Sequence, residues 1–198
     1  MLFPNGFNDE LSRSIYKGVL ACQRPEVFTV FDCFIQNIKP SLIVEIGTCY
    51  GGLAWALHDS GLQAGSKLIT YDILERDSLT DLRNAGVDVR LEDIYTKDYQ
   101  LKSKAISEFN SYPSPRLFLA DGGNKIAEFA AFISLAKSGD FIGAHDFAYS
   151  DLDFRNSSIW GWAEIQEKDI QKWLYSSKLN YYAMDQFRSI AWVMTQVI

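Results

Sequence analysis

Five apolar runs of strand length, alternating with helical stretches, predict an α/β fold built on a doubly wound, parallel sheet. Two further runs near the end, separated only by Gln186-Phe187-Arg188, are too close for a parallel crossover and predict a C-terminal antiparallel hairpin. The parallel strands fall at Leu42–Ile46, Lys67–Tyr71, Val87–Leu91, Arg116–Ala120 and Asp140–Ala144. Helices are expected around Gly52–Ser60, Leu79–Asn84, Tyr99–Phe109 and Lys125–Ala136. Turn residues stand between them at Gly65-Ser66, Gly86, Pro113-Ser114-Pro115 and Ser138-Gly139.

Before the first strand, Leu11, Ile15 and Val19 recur at helical spacing, as do Val27, Phe31, Phe34 and Ile35. The segment from Asn8 to Ile38 therefore reads as two helices, with Pro25 suited to starting the second. After the fifth strand a helix is expected over Ile165–Ser176, then the hairpin strands Asn180–Asp185 and Ser189–Gln196. The whole is one domain: an N-terminal helical cap (1–39), a core (40–146), an aromatic-rich loop (147–164), and a closing helix with the hairpin (165–198).

The chain has 198 residues, 47% of them hydrophobic, enough to bury a sizeable core. Its net charge of −6, with 19 scattered basic residues, argues against nucleic acid and anionic membranes as partners. No run approaches the roughly 20 apolar residues that span a bilayer, and the start lacks a signal-peptide pattern. Three cysteines do not make a disulfide framework, so a cytoplasmic location is expected.

The first strand ends in Glu45-Ile46-Gly47-Thr48-Cys49-Tyr50-Gly51-Gly52, which runs straight into a helical stretch. In open α/β sheets such a junction lies at the carboxyl ends of the strands, where ligands bind. Gly47 permits a tight turn, and Gly51-Gly52 permit close passage of a ligand. The spacing Glu-x-Gly-x-x-x-Gly-Gly is not the dinucleotide Gly-x-Gly-x-x-Gly. It resembles motif I of the class I S-adenosylmethionine-dependent methyltransferases, whose Rossmann-like sheet also ends in an antiparallel strand. The run from Leu119-Ala120-Asp121 to Gly143-Ala144-His145-Asp146 is similar to the cephalosporin-hydroxylase-like and macrocin-type O-methyltransferases.

That resemblance spans roughly residues 40 to 150. It implies cofactor contacts from Glu45, Gly47, Thr48, Gly51 and Gly52, from Asp72 to the ribose hydroxyls, from Glu92 or Asp93 near adenine, and from Asp121. Glu45, in an apolar strand, needs a hydrogen bond or a raised pKa; Cys49 lacks an adjoining basic residue that would make it reactive. The family binds magnesium through an Asp after the fourth strand and an acidic or His-Asp pair after the fifth, which nominates Asp121, His145 and Asp146. Relatives carry a basic residue three positions beyond the first metal Asp; here Asn124 stands there and Lys125 follows. The base is then His145, which is alternatively a metal ligand, or Lys125.

The implied activity is metal-assisted O-methylation of a small hydroxylated acceptor, such as a sugar or natural-product intermediate. Trp160-Gly161-Trp162 offer a wall or lid for such a substrate, or pack on the sheet edge. The N-terminal helices either cover the site or build a homo-oligomer interface. Two other readings stand beside it: a non-catalytic scaffold that keeps the fold, and a metal enzyme that does not use the sulfonium. A nicotinamide dehydrogenase fits least, given the glycine spacing and the hairpin.

Overall fold

A computed structural model describes residues 13–156, 163–176 and 178–198. The five parallel strands are β3 (Leu42–Ile46), β4 (Lys67–Asp72), β5 (Asp88–Leu91), β6 (Arg116–Ala120) and β7 (Phe141–His145). They pair in the order β7-β6-β3-β4-β5. The sheet is extended at the β7 edge by β11 (Trp192–Val197) and then β10 (Leu179–Tyr181), with β11 antiparallel to both. Five parallel strands and a terminal hairpin are thus as the sequence predicts. The chain winds outward from β3 through β4 to β5, then returns to β6 on the other side. The switch point lies between β3 and β6, and opens at their carboxyl ends.

Helices cover both faces. On one, α1 (Glu26–Ile38) and α2 (Gly52–Ala64) bury Phe31, Phe34, Leu53 and Leu57 with Phe187 and Trp192. Phe31 and Phe34 meet the other rings edge to face, an arrangement aromatic pairs favour. On the opposite face α4 (Ser103–Asn110) and α5 (Lys125–Leu135) bury Phe109, Phe129 and Phe132 against Phe118. The shorter α3 (Ser78–Asn84) bridges β4 to β5.

The N-terminal segment corrects the sequence reading. In place of a first helix, β1 (Ser14–Tyr16) and β2 (Val19–Ala21) form an antiparallel hairpin. Lys17 (φ 49°) and Gly18 (φ 86°) both lie in the left-handed region, the signature of a two-residue turn that matches strand twist. A helix through Gly18 would need both residues right-handed. Ile15, expected to face the core, is 69% exposed, while Val19 is buried; Leu11 lies outside the described residues. The second helix forms as α1, started by Pro25. The cap is therefore a hairpin followed by one helix.

Two smaller differences follow β7. The described part of the link 147–164 holds secondary structure: β8 (Phe147–Ala148) pairs parallel with β9 (Ile165–Gln166), and α6 (Asp151–Asn156) follows β8. From β9 the chain enters α7 (Glu167–Tyr175), the expected closing helix. Between β10 and β11 a short helix α8 (Met184–Ser189) replaces a tight turn, entered at Ala183 (φ 45°). No helix among the described residues is long and apolar enough to cross a membrane.

Candidate functional site

At the switch point a cleft of about 380 Å³ opens among the carboxyl ends of β3, β4 and β5 and the turn after β6. That volume is within the range of small-molecule sites. Gly47, Asp72, Glu92 and Asp93 line it, together with Ile73, Tyr95, Asn124 and Glu128. Gly47 must be glycine for two reasons: its φ is +92°, and a Cβ there would meet the Asp121 carbonyl oxygen at 2.2 Å. The turns after β3 and β6 are pressed together at this point.

Asp72 ties the glycine turn to the end of β4. Its carboxylate accepts the N–H of Cys49 (2.8 Å), Ile73 (2.7 Å) and Leu74 (2.9 Å). Asp93 accepts the N–H of Tyr95 at 2.8 Å, while Glu92 faces Lys104 at 3.6 Å on the surface. Glu45 is 1% exposed, with no cation beside it in its hydrogen-bonded contacts. Burial pushes its pKa up to about 8 against the hydrogen bond from Thr70 (2.5 Å), so it holds its proton at neutral pH. Thr70 in turn meets the Thr48 hydroxyl at 2.7 Å, linking β3, β4 and the glycine turn through three side chains.

Beside the cleft the structure brings Asp121, His145 and Asp146 together, with one ligand atom of each within 4.8 Å of the others. Asp121 follows β6; His145 ends β7; Asp146 takes φ 56°, a strained conformation for a non-glycine residue. His145 Nδ1 lies 3.0 Å from Asp121 and 3.5 Å from Asp146, and its ring leans on Trp192. Burial pulls the imidazole pKa down, but the two carboxylates more than offset it, leaving it above its ordinary value.

Lys125, the first residue of α5, turns into the same cluster. Its ammonium reaches Asp146 at 3.0 Å, Asp121 at 3.6 Å and Glu164 at 2.6 Å. Burial opposes its charge, yet these carboxylates hold its pKa above the usual lysine value. Asn124 does not point at the cluster. It is the N-cap of α5, accepting from Ala127 N–H at 3.2 Å, and Glu128 reaches back to the Asn124 and Gly122 N–H groups.

Four participants escaped the sequence reading. Thr70, Glu128 and Glu164 are three. The fourth is Gln23, at the end of a strap that runs out of β2: its amide donates to Asp121 at 2.8 Å and its oxygen accepts from Trp192 Nε1 at 3.0 Å. The strap Leu20–Gln23 lies over the glycine turn, where a Cβ on Gly52 would meet Ala21 N and Leu20 O at 2.7 Å. A cavity of only about 20 Å³ remains beneath it, lined by Glu45, Thr48, Gly51, Gly52 and Asp121 among others. The cofactor residues expected from sequence are thus divided between the large cleft and this small cavity. Glu128 carried a faint signal, four residues beyond an N-cap. Gln23 carried none, its partner being far along the chain.

The aromatic loop is only partly accounted for. Tyr149 packs edge-on against Phe147 and Tyr181 and is part of the fold's packing. Trp160, Gly161 and Trp162 lie outside the described residues.

No protein-family model and no curated protein sequence matches the chain. Solved structures do. A ligand-free structure of CmcI superimposes over 94% of this chain and 77% of its own, at 14% identity and a TM-score of 0.66. The chain has a methyltransferase fold. A Mg-SAM form of CmcI gives 0.62 over 93% of this chain and 77% of CmcI, again at 14% identity. The O-methyltransferase from Bacillus cereus in complex with SAH gives 0.53 over 88% of this chain and 81% of that one, at 14% identity.

Proposed function

We propose that this chain is an S-adenosylmethionine-dependent O-methyltransferase acting on a small hydroxylated molecule. The observation that carries the reading is the cleft at the switch point of a methyltransferase fold, where Gly47, Asp72 and the Glu92-Asp93 pair share one wall. In this reading Asp72 accepts from a ribose hydroxyl with the Oδ2 lone pair that its three backbone partners leave. Glu92 or Asp93 serves the adenine edge, and Glu45, Thr48, Gly51, Gly52 and Asp121 form the far end under the strap. The neutral Glu45 anchors the glycine turn through Thr70 and adds no charge there.

When bound, the sulfonium supplies an already activated methyl group, so the protein's task is in-line placement and handling of the acceptor proton. Lys125 stays cationic and holds Asp121 and Asp146 in place. His145 takes the acceptor proton, for an imidazole is the side chain whose charge changes nearest neutrality. Its raised pKa sets the sign: the base form grows as pH climbs above the ordinary histidine range, so turnover rises with pH there. A His145→Gln variant that keeps the same rising limb would exclude this assignment.

Where His145 serves as a ligand in place of the base, Asp121, His145 and Asp146 make a donor set for a divalent cation, with one ligand atom of each within 4.8 Å of the others. Such an ion, magnesium in this proposal, would polarise the acceptor hydroxyl. Lys125 faces the same carboxylates and competes with it. That internal cation also favours a second reading, a scaffold that binds the cofactor without turnover.

Calorimetric titration with S-adenosylhomocysteine, with and without magnesium, tests the proposal. Binding is expected, weakened at least about tenfold by Asp72→Ala and less by Asp72→Asn. No binding under either condition would sink it, and binding without methyl transfer to any hydroxylated acceptor would favour the scaffold.

A further inference from the structure

Cys22, in the strap, and Cys49, in the glycine turn, bring their sulfurs to 3.7 Å, with either thiol able to donate to the other. A disulfide requires about 2.05 Å, so its formation would draw the two sulfurs about 1.7 Å closer. Cys22 is exposed and Cys49 partly so, which leaves the pair open to a small oxidant. We propose that Cys22 and Cys49 are a redox-modifiable dithiol whose disulfide staples the strap Leu20–Gln23 to the glycine turn.

The surroundings favour reaction at Cys49. The hydrogen bond from Cys22 brings its thiol pKa down to about 7 against burial, with help from the Tyr50 backbone and Arg76. Arg76 also donates to the Cys49 carbonyl at 3.1 Å. The sequence reading, which saw no adjoining basic group, missed both partners because each is 27 residues away. Cys22 moves the other way, its thiol pushed up chiefly by the same hydrogen bond.

A small-molecule disulfide such as oxidised glutathione is the oxidant class. Cys49 thiolate attacks one of its sulfurs, its S–S bond breaks, and one thiolate leaves with its electron pair. Cys22, losing its proton to solvent, then attacks the Cys49 sulfur of the mixed disulfide, and the second thiolate leaves. Two protein thiols are oxidised by two electrons, and the small disulfide is reduced to two thiols, which take up the protons.

The staple acts where the strap already touches. Ala21 and Leu20 rest on Gly52, and Gln23 on Asp121. The space beneath, about 20 Å³, admits about one water, against about 380 Å³ in the cleft beside it. Covalent closure fixes that state, while the reduced chain is free to lift the strap. That it also controls cofactor entry rests on the methyltransferase reading; that the staple forms and holds the strap does not.

The full chain equilibrated with oxidised glutathione, then freed of it, is expected to lose about two mass units and two of its three thiols. Peptide mapping without reductant is expected to join Cys22 to Cys49. Cys22→Ser and Cys49→Ser each abolish the change, and Cys33→Ser leaves it. Three persisting thiols, a bond to Cys33, or bridging only between chains would overturn the proposal. In the Cys33→Ser background, amide exchange over residues 14–24 is expected to slow at least about tenfold on oxidation and recover with dithiothreitol. Unchanged exchange would overturn the stapling. S-adenosylhomocysteine affinity falling with oxidation supports control of entry, and equal affinity for both forms refutes it. Binding to neither form counts against the methyltransferase reading alone, since mass and exchange still report on the staple.

Discussion

Strands β6 and β7 carry an ionic cluster at each end, and the two are built differently. At the amino ends Arg116 and Asp140, both fully buried, form one cation and one anion. Arg116 donates from Nε (3.1 Å) and Nη2 (2.5 Å) to Asp140 Oδ2 and from Nη1 to the Phe109 carbonyl (3.0 Å). Asp140 also accepts the N–H of Arg116 (2.9 Å) and Lys137 (2.8 Å). Burial pushes the Asp140 pKa up, but these partners outweigh it and hold the carboxyl below its usual range. At the carboxyl ends three carboxylates, Asp121, Asp146 and Glu164, face one lysine and one histidine, beside an open cleft. The first cluster is saturated and closed. The second holds more negative than permanent positive charge and borders space for a ligand, so its protonation is adjustable. Burial alone does not separate a structural ion pair from a working one; the charge balance and the neighbouring void do.

The largest expected effect comes from breaking the saturated pair. Arg116→Met leaves Asp140 buried without its cation and should cost about 3–5 kcal/mol in chemical denaturation. Below its melting transition the variant should bind S-adenosylhomocysteine as the parent does. A weakened affinity there would show that the two ends are coupled, and the contrast would fail.

Lys125→Met is the matching change at the other end. Turnover should fall about 10²–10⁴-fold, the scale of a lost proton-transfer arrangement. Magnesium should now raise the melting temperature more than it does in the parent, because three carboxylates lose their cation. If magnesium shifts both proteins equally, Lys125 does not compete for the site.

The two clusters also differ in how far the sequence reveals them. The strand-end residues Asp72, Asp121, His145 and Asp146 are legible because strand periodicity fixes where each strand stops, and a stop in a parallel sheet fixes the edge. Asn124 is legible as a departure, though only the structure explains it, as an N-cap that lets Lys125 turn inward. The hairpin at 14–21 is not legible from periodicity: Ile15 and Val19 share helical spacing, yet they stand on different strands, Ile15 towards solvent and Val19 towards the core. Lys17-Gly18 was the deciding signal, a dipeptide suited to a primed turn. Gln23 and the Cys22–Cys49 pair have partners brought near only by the fold, and no local pattern encodes that.

Glu45 supplies a third kind of buried ionisable group, an acid that burial keeps protonated and uncharged. Its folded pKa of about 8 exceeds the ordinary glutamate value of 4.5, so the folded state keeps a proton that the unfolded chain has lost. The associated stability is fully present below about pH 4.5 and is lost as pH rises towards about 8. Glu45→Gln removes that slope. Relative to the parent, the variant should gain on the order of 2–4 kcal/mol in denaturation midpoint stability between pH 5 and pH 8.5. Parallel pH profiles for the two proteins would mean that Glu45 is ionised in the fold.

The smallest effect distinguishes cluster members held by the sheet from one delivered by the strap. Gln23→Met keeps the side-chain volume but removes the donor to Asp121 and the acceptor for Trp192 Nε1. The loss should be about 1–2 kcal/mol, mostly the unpaired indole N–H and the exposed carboxylate lone pair. Because Asp121 loses a neutral donor and keeps Lys125, its charge balance is unchanged, unlike in Lys125→Met. Magnesium dependence should therefore stay as in the parent while exchange over residues 14–24 quickens. A Gln23→Met protein whose strap exchanges no faster would mean that the strap is held by its contact with Gly52, and that Gln23 only completes the hydrogen bonding of a cluster the sheet has already assembled.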